Sequence, residues 1–172
     1  MIELLQVPAR GLTIPLRRVV LVGAAGAGKR TVARRAAFRS GATLVRDAVD
    51  PPEGDDRIVA VASDRLRGGD GAAALRAWAD DGHGAVVWLA PPAAEIRIRT
   101  GSSGACDEDW LARVADARIP GSPSTDECAG AVCAMLMKPG APHEPQCLVT
   151  RLLMDDVNPQ ALVRHLRGAW RA

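Results

Sequence analysis

Residues 18–31 read RVVLVGAAGAGKRT, an apolar and β-branched run followed by a glycine-rich turn and a lysine. The run Arg18–Gly23 predicts a buried strand, because a strand covered on both faces is continuously apolar. Lys29–Ser40 predicts a helix that Gly41 closes. Glycines let successive N–H groups of the turn point inward, and the helix N-terminus adds partial positive charge at the same place. The stretch therefore predicts a binding site for a phosphate group.

Lysine is rare in this chain, which makes the lysine of the turn informative. Of the 22 basic residues, 20 are arginines, and only Lys29 and Lys138 are lysines. A lysine is a compact charge on a flexible stem, which the wide planar guanidinium of arginine does not reproduce. One of the two lysines therefore stands where a phosphate-binding turn requires one.

The segment Gly23–Lys29 fits the Walker A pattern of P-loop NTPases, with a strand pattern before it and a helix pattern after it. Its fuller spacing, GxxGxGKxT, resembles the phosphate loops of adenylate-kinase-like and other small-molecule kinases. The resemblance covers about the first fifth of the chain and implies that ATP or GTP binds here together with Mg²⁺. Lys29 would reach over the β- and γ-phosphates and act in catalysis. The residues implied in nucleotide binding are Gly23, Gly26, Ala27, Gly28, Lys29, Arg30 and Thr31.

One position departs from the family's pattern. The residue after the lysine, normally a serine or threonine that holds Mg²⁺, is Arg30. The resemblance to loops of the GKGT kind implies that Thr31, one place on, supplies the hydroxyl to the metal. Arg30 itself either faces solvent or adds a second positive group for phosphate.

An acid at the end of a neighbouring strand completes such a site. Asp64 follows the apolar run 58–62 and is the candidate to hold the metal through water, with a helix cap or turn aspartate as the alternative. Asp47 and Asp50 end the second predicted strand, and the alternative for both is a solvated turn beside two prolines. The strand end at 89–92 carries no acid, which favours Asp64.

Strand and helix patterns alternate along the chain. Such alternation predicts one three-layer α/β domain over residues 1–172, with a mostly parallel five-stranded sheet. The segment between the second and third strands is too short for a crossover helix, so these two strands are predicted to pair antiparallel. The five predicted strands are Arg18–Gly23, Ala42–Val49, Arg57–Ala62, Ala85–Ala90 and Cys147–Leu153, with a short edge strand around Ile2–Val7.

Two of the helices predicted in the second half of the chain begin with a capping signal. Asp107 would cap the first, and Ser124 with Glu127 forms a capping box for the second. The segment 107–145 is predicted as a helical lid or insertion that covers the site.

Residues 91–106 are predicted to be irregular because they contain two prolines and a GSSG sequence. Arg97 and Arg99 lie there, and they are candidates to clamp the transferred phosphoryl group. A solvated surface is the alternative for both arginines.

Composition and charge argue against several classes of partner. A formal charge of +2 without a basic block argues against nucleic acid as the main partner. The N-terminal stretch MIELLQVPARGL contains Glu3 and no long apolar run. Neither a signal peptide nor a membrane helix is therefore predicted, and the predicted location is the cytoplasm.

The four cysteines show no CxxC spacing, and with no export signal disulfides are not expected. Buried thiols are predicted in preference to a zinc site that includes His143. The cysteines are Cys106, Cys128, Cys133 and Cys147.

Three functions are compatible with these features. The leading hypothesis is phosphoryl transfer from ATP to a small-molecule acceptor, with Lys29 neutralising the phosphates, Asp64 organising the metal and a lid arginine acting in the transition state. The second is a GTPase-like regulatory switch, supported by the predicted hairpin at 42–62, although the chain has no clean NKxD guanine-reading sequence. The third is a non-catalytic P-loop scaffold that binds protein partners, which Arg30 supports.

Overall fold

The computed structural model describes residues 3–4, 13–14, 16–48, 57–63, 66, 69–81, 84–101, 107–136 and 146–147. The strands in these ranges are β1 (Glu3–Leu4), β2 (Thr13–Ile14), β3 (Arg18–Val22), β4 (Thr43–Ala48), β5 (Ile58–Ala62), β6 (Gly84–Ala90), β7 (Ala117–Pro120) and β8 (Gln146–Cys147). The helices are α1 (Lys29–Ser40), α2 (Gly69–Asp81), α3 (Ala93–Thr100), α4 (Glu108–Val114) and α5 (Thr125–Leu136).

Six strands form one sheet in the order β1-β7-β6-β3-β5-β4. Five of them, from β7 to β4 in that order, run parallel to their neighbours, and β1 adds an antiparallel edge beside β7. The predicted α/β fold with a mostly parallel five-stranded sheet is therefore confirmed. β3 lies between β5 and β6, so the turn that follows it leaves from the middle of the sheet.

The fifth parallel strand is not the predicted one. β7 takes the place beside β6, whereas Gln146–Cys147 pairs antiparallel with β2 in a separate two-stranded sheet. Residues 148–153 lie outside the described ranges. The sequence of β7, ARIP, is short and contains an arginine and a proline, so it lacks the apolar run by which the other core strands are recognised.

The predicted antiparallel pairing of β4 and β5 is wrong. The two strands are parallel, with Thr43 opposite Ile58 and Val45 opposite Ala60. A parallel return needs enough chain to travel back along the strand, and a helix is only the commonest way to provide it. An extended chain gains about 3.3 Å per residue, so residues 49–57 are long enough to span a strand of this length.

The prediction that 91–106 is irregular is wrong for residues 93–100, which form α3, and residues 102–106 lie outside the described ranges. Pro92 stands immediately before the helix, where a missing N–H and a fixed φ are tolerated. The helix ends at Gly101, whose N–H donates to the Arg97 carbonyl. Only Ile96 is buried in α3, so the sequence shows no apolar periodicity by which to recognise a helix.

The two capping signals in the second half of the chain are confirmed. The Asp107 side chain accepts a hydrogen bond of 2.8 Å from the Trp110 N–H. The Ser124 N–H donates to Glu127 Oε2 at 2.6 Å, and the Glu127 N–H donates to Ser124 Oγ at 3.2 Å. These bonds satisfy N–H groups that the first turns of α4 and α5 leave unpaired.

Helices cover both faces of the sheet and so produce the predicted three layers. α1 and α5 lie on one face, where Val32 and Val132 share a buried cluster with Leu21. α2 and α4 lie on the other face, where Trp110 shares a second cluster with Val20. Adjacent residues of β3 thus serve opposite cores, as the alternation of a strand requires. None of the described helices has the length and apolar character that crossing a membrane demands.

The described part of the segment predicted as a lid or insertion lies within this architecture. α4 buries three side chains, β7 pairs with β6, and α5 packs beside α1. At the protein surface, two arginines of α1 form ion pairs with Asp126 of α5. Arg35 and Arg39 each have a nitrogen 2.7 Å from a carboxylate oxygen of Asp126. Residues 137–145 lie outside the described ranges.

An ion pair between a buried carboxylate and a partly buried arginine joins α2 to the start of β7. Asp116 is fully buried and accepts a hydrogen bond of 2.8 Å from the Val86 N–H. Its other oxygen lies 2.7 Å from Arg76 Nη1, close enough for an ion pair but not aligned as a hydrogen bond. Arg76 also donates to the Val114 carbonyl at 3.3 Å. This cluster lies towards the amino ends of β6 and β7, away from the turn that follows β3.

Candidate functional site

The glycine-rich turn lies at the carboxyl edge of the parallel strands, between β3 and α1. The chain leaves β3 at Val22 and enters α1 at Lys29. Within the turn, the Ala27 N–H donates to the Ala24 carbonyl at 3.2 Å. Open α/β sheets bind ligands outside the carboxyl ends of their strands, so the turn lies where a ligand is expected.

Three glycines of the turn have positive φ, and at two of them a side chain would also have no space. Gly23 has φ +144°, and a Cβ there would lie 2.6 Å from the Leu89 carbonyl oxygen. Gly26 has φ +81°, and a Cβ there would overlap the Thr100 side chain. Because side chains are disfavoured at these angles and no space exists for them, the turn depends on both glycines. The end of β6 and the end of α3 therefore press directly against the phosphate-loop candidate.

The Lys29 side chain folds back over the turn. Its Nζ donates to the Gly23 carbonyl at 2.6 Å and to the Ala24 carbonyl at 2.9 Å. These bonds hold the ammonium group beside the backbone of the turn, at the N-terminus of α1. Positive charge from the side chain and from the helix end is thus concentrated in one place.

A cleft of about 670 Å³ opens over the turn. The turn, the first residues of α1, the end of β5, one residue of α3 and one of α5 line it. Its volume falls within the range of about 300–1,000 Å³ that is typical of small-ligand sites. Lys29, Arg30 and Arg99 are the cations among the described lining residues, which include no acid. The cleft is therefore suited to an anion.

The structure brings one of the two candidate arginines to the site. Arg99 lines the cleft, and its Nη1 lies 4.0 Å from where a Cβ on Gly28 would stand. Its Nη2 donates to Glu95 Oε2 at 2.9 Å, one turn earlier on α3. Arg97, two residues before Arg99, is exposed and is not among the residues that line the cleft.

The sequence does not predict one wall of the site, which the segment after β7 forms. A small pocket of about 40 Å³ adjoins the cleft beside Arg99 and is lined by the loop 121–123, Thr125 and Cys128. Thr125 also lines the main cleft. These residues follow the carboxyl end of β7. Because the sequence of β7 does not predict a strand, the sequence does not indicate that they lie at the carboxyl edge of the sheet, beside the site.

The predicted metal-binding residues are only partly within the described ranges. Thr31 lies in the first turn of α1, is exposed and lines the cleft. Asp64 and Asp50 lie outside the described ranges, and for Asp47 only the backbone, within β4, is described. The end of β5, at Ala62, does reach the cleft two residues before Asp64.

Magnesium prefers oxygen ligands, commonly carboxylates together with substrate phosphates. The described lining of the cleft offers the hydroxyls of Thr31 and Thr125 and no carboxylate. No cluster of three or more His, Cys, Asp or Glu side chains occurs among the residues that the structure describes. Of the predicted pair, only Thr31 lies in the described part of the chain, where it lines the cleft.

Cys128 and Cys133 are free, buried thiols on α5, in agreement with the prediction of buried thiols. Burial raises the pKa of both thiols. The side chain of Cys147 is not described, and Cys106 and His143 lie outside the described ranges.

No family model matches the chain, and no curated protein matches it. Solved structures do match. One is "Shikimate kinase from Acinetobacter baumannii in complex with shikimate", at 19% identity and a TM-score of 0.51, over 70% of this chain and 93% of that one. Another is a gluconokinase from Sinorhizobium meliloti 1021, at 18% identity and a TM-score of 0.43, over 69% of this chain and 90% of that one. The first likeness shows that this chain has the α/β fold of P-loop kinases, so the predicted resemblance to P-loop NTPases is confirmed for the fold.

Proposed function

We propose that this chain binds a nucleoside triphosphate and transfers its terminal phosphoryl group to a small molecule. The observation that carries the proposal is the placement of the Lys29 ammonium, 2.6 Å from the Gly23 carbonyl and 2.9 Å from that of Ala24, under a cationic cleft. A lysine whose ammonium group is held by carbonyls of the turn, at a helix N-terminus, can exchange those carbonyls for phosphate oxygens.

In the proposed complex the phosphates occupy the cleft above the turn. Main-chain N–H groups of the turn and of the first residues of α1 donate to the phosphate oxygens, aided by the helix dipole. Lys29 turns from the carbonyls to the β- and γ-phosphates and neutralises charge that moves to the leaving oxygen. The binding residues proposed are Gly23, Gly26, Ala27, Gly28, Lys29, Arg30 and Thr31.

Two further roles complete the proposal. Thr31 and Asp64 are proposed to hold Mg²⁺, which when bound would neutralise phosphate charge. Arg99 is proposed to contact the transferred group, because it lines the cleft beside Gly28 and Arg97 does not. A guanidinium with its fixed fork of donors suits a phosphoryl group in the transition state.

The likeness to a shikimate kinase supports a small molecule as the acceptor. ATP is proposed as the donor because the sequence contains no clean guanine-reading motif. The cytoplasm, where ATP is supplied, is the proposed location. The GTPase-like switch loses its main support, because β4 and β5 are parallel and do not form the predicted hairpin.

A P-loop scaffold without transfer activity is the second candidate, favoured by the arginine that follows Lys29. Turnover decides between the two candidates. ATP consumption measured with and without a panel of hydroxylated metabolites should rise with at least one acceptor if the chain is a kinase. Tight ATP binding without turnover on any acceptor would favour the scaffold.

Titration calorimetry with ATP, GTP and ADP tests the binding site directly. Lys29→Ala should weaken ATP binding by about tenfold to a hundredfold, the effect of losing a charge-assisted contact to phosphate. Arg34→Ala is the matched control, since Arg34 is an exposed cation one turn further along α1 and does not line the cleft. Equal ATP affinities for wild type and Lys29→Ala would contradict the proposed site.

A further inference from the structure

Two residues one helical turn apart on α3 form an ion pair beside the glycine-rich turn. Glu95 Oε2 accepts a hydrogen bond of 2.9 Å from Arg99 Nη2. The other terminal nitrogen, Arg99 Nη1, lies 4.0 Å from where a Cβ on Gly28 would stand. We propose that Glu95 is a positioning residue, which holds the Arg99 guanidinium at the cleft so that Nη1 is ready to contact the terminal phosphate. This inference rests on the proposed function and concerns the binding of the nucleotide.

The pair lies on the face of α3 that contacts the site. Arg99 lines the cleft, and Glu95 lines the small pocket that adjoins it. The residues that follow the two members of the pair, Ile96 and Thr100, would both meet a Cβ on Gly26. Positions i, i+1, i+4 and i+5 share one side of a helix. The side of α3 that carries the pair is therefore fixed against the turn, which gives the pair a defined position at the cleft.

A guanidinium that is already anchored binds phosphate at a smaller cost in conformational entropy. Arginine has a long side chain, which loses much rotamer freedom when it is ordered by a ligand. The bond to Glu95 restricts Arg99 before any ligand binds, and a glutamate four residues before the cation is the favourable order on a helix. Because the guanidinium carries five N–H donors in a fixed fork, a bond through Nη2 does not use the donors of Nη1.

The carboxylate of Glu95 also repels a phosphate, and this effect opposes the anchoring effect. The side chains of Arg99 and Glu95 are 49% and 29% exposed, so solvent screens the repulsion between Glu95 and a phosphate that meets Nη1. The restriction of Arg99 is a direct contact at 2.9 Å, which solvent between separated charges does not weaken. We therefore expect the anchoring effect to exceed the repulsion.

The test compares the affinities of ATP and ADP, each measured by titration calorimetry with excess MgCl₂. Because Arg99 is proposed to contact the transferred group, which ADP lacks, the ratio of the two affinities reports where Arg99 is placed. Glu95→Ala removes the anchor. It should lower ATP affinity by about threefold to tenfold and change ADP affinity by less than about twofold. Glu95→Gln keeps an oxygen that can accept the bond, so its ATP affinity should stay within about twofold of wild type.

A double variant tests whether Glu95 acts through Arg99. Glu95→Ala combined with Arg99→Ala should bind ATP as Arg99→Ala alone does, because the anchor then has nothing to hold. Combined with Arg97→Ala, the substitution Glu95→Ala should keep its full effect. Residues two apart on a helix do not face each other, and Arg97 is exposed and does not line the cleft.

Asp109→Ala is the matched control for charge. It removes an exposed carboxylate from the first turn of α4, as Glu95→Ala removes one from the first turn of α3. It should leave both affinities unchanged, which separates the anchoring effect from the general effect of a negative charge near a helix N-terminus. A loss of folded protein would weaken ATP and ADP together, so the ratio of the affinities is the informative quantity.

Three results would overturn this inference and leave the proposed function standing. They are a Glu95→Ala variant with the ATP affinity of wild type, one that weakens ATP and ADP equally, and a further loss when Glu95→Ala is added to Arg99→Ala. Wild type that binds no ATP would overturn the proposed function, and the inference would fall with it.

Discussion

The side chain of Thr100, at the end of α3, occupies the space where a Cβ on Gly26 would stand. The Thr100 hydroxyl donates to the Ile96 carbonyl at 2.8 Å, which fixes the rotamer of the side chain. The last turn of a helix that the sequence does not predict thus packs against the phosphate-loop candidate at Gly26, beside the cleft.

Gly26→Ala should impair both folding and nucleotide binding. The substitution adds a methyl group at φ +81° and against Thr100, and a strained residue of this kind costs about 1–3 kcal/mol. Urea unfolding and ATP titration would measure the two effects. Thr100→Ser removes only the overlapping methyl group and keeps the hydroxyl, so the double variant should recover part of the loss. Equal losses in the single and double variants would exclude contact between these residues as a cause.

Arg99 and Arg97 provide a matched pair on one helix. Arg99→Ala should lower ATP affinity or turnover by about tenfold, because a cation beside Gly28 is lost from the cleft. Arg97→Ala removes an equal charge two residues away, from an exposed position that does not line the cleft, and should change either quantity by less than about twofold. Similar effects of the two variants would mean that only the overall charge of α3 matters.

Asp116→Ala should strongly destabilise the fold. It removes the buried carboxylate that pairs with the partly buried Arg76 and leaves the Val86 N–H without its acceptor; an unsatisfied buried donor alone costs about 1–3 kcal/mol, and the loss of the ion pair adds to this. The free energy of unfolding in urea measures this cost. Asp126→Ala is the control, since it removes an exposed carboxylate that also pairs with arginines and should cost less than about 1 kcal/mol. An Asp116→Ala variant as stable as that control would contradict this account of the buried pair.

The capping box of α5 should make stability depend on pH. Hydrogen bonds from the Ser124 side chain and backbone hold the pKa of Glu127 below its ordinary value of 4.5. A carboxyl group with a depressed pKa in the folded state stabilises that state above the ordinary pKa and loses this effect as the pH falls through the folded-state value. Wild type should therefore exceed Glu127→Gln in Tm at pH 7, and the difference should shrink as the pH falls below 4.5.

Glu108→Gln is the control for this experiment, because it removes an exposed charge from the first turn of α4. It reports what a carboxylate near a helix N-terminus contributes in general. A difference between wild type and Glu127→Gln that stays constant from pH 7 to pH 3 would show that the carboxylate charge has no part in the cap.

The features predicted correctly from the sequence are those whose physical cause is local. β3 is a buried strand because its residues 19–22 are continuously apolar, and the turn after it depends on glycines that are visible in the sequence. The caps at Asp107 and Ser124 depend on side chains that reach N–H groups only three residues away. Because each of these causes lies within one short stretch of sequence, the local sequence pattern is sufficient to predict the structure there.

The features that the sequence does not predict have causes distant in the chain. β7 is a strand because it pairs with β6, whose residues precede their partners in β7 by 30 positions in the chain. The four residues of β7 themselves contain no apolar run. β4 and β5 are parallel because of the order of strands in the whole sheet. Neither long-range pairing leaves a periodic pattern in a short segment.

The phosphate loop was determined locally, since its glycines, its lysine and the helix that follows are consecutive in the chain. The surroundings of the loop were decided by tertiary structure: the end of α3 places Arg99 beside it, and the end of β7 places Thr125 there. The physical reason is that the carboxyl ends of parallel strands lie along one edge of a sheet, which brings segments distant in the chain together around one site. Of these segments, only the glycine-rich turn carries a motif that can be recognised in the sequence.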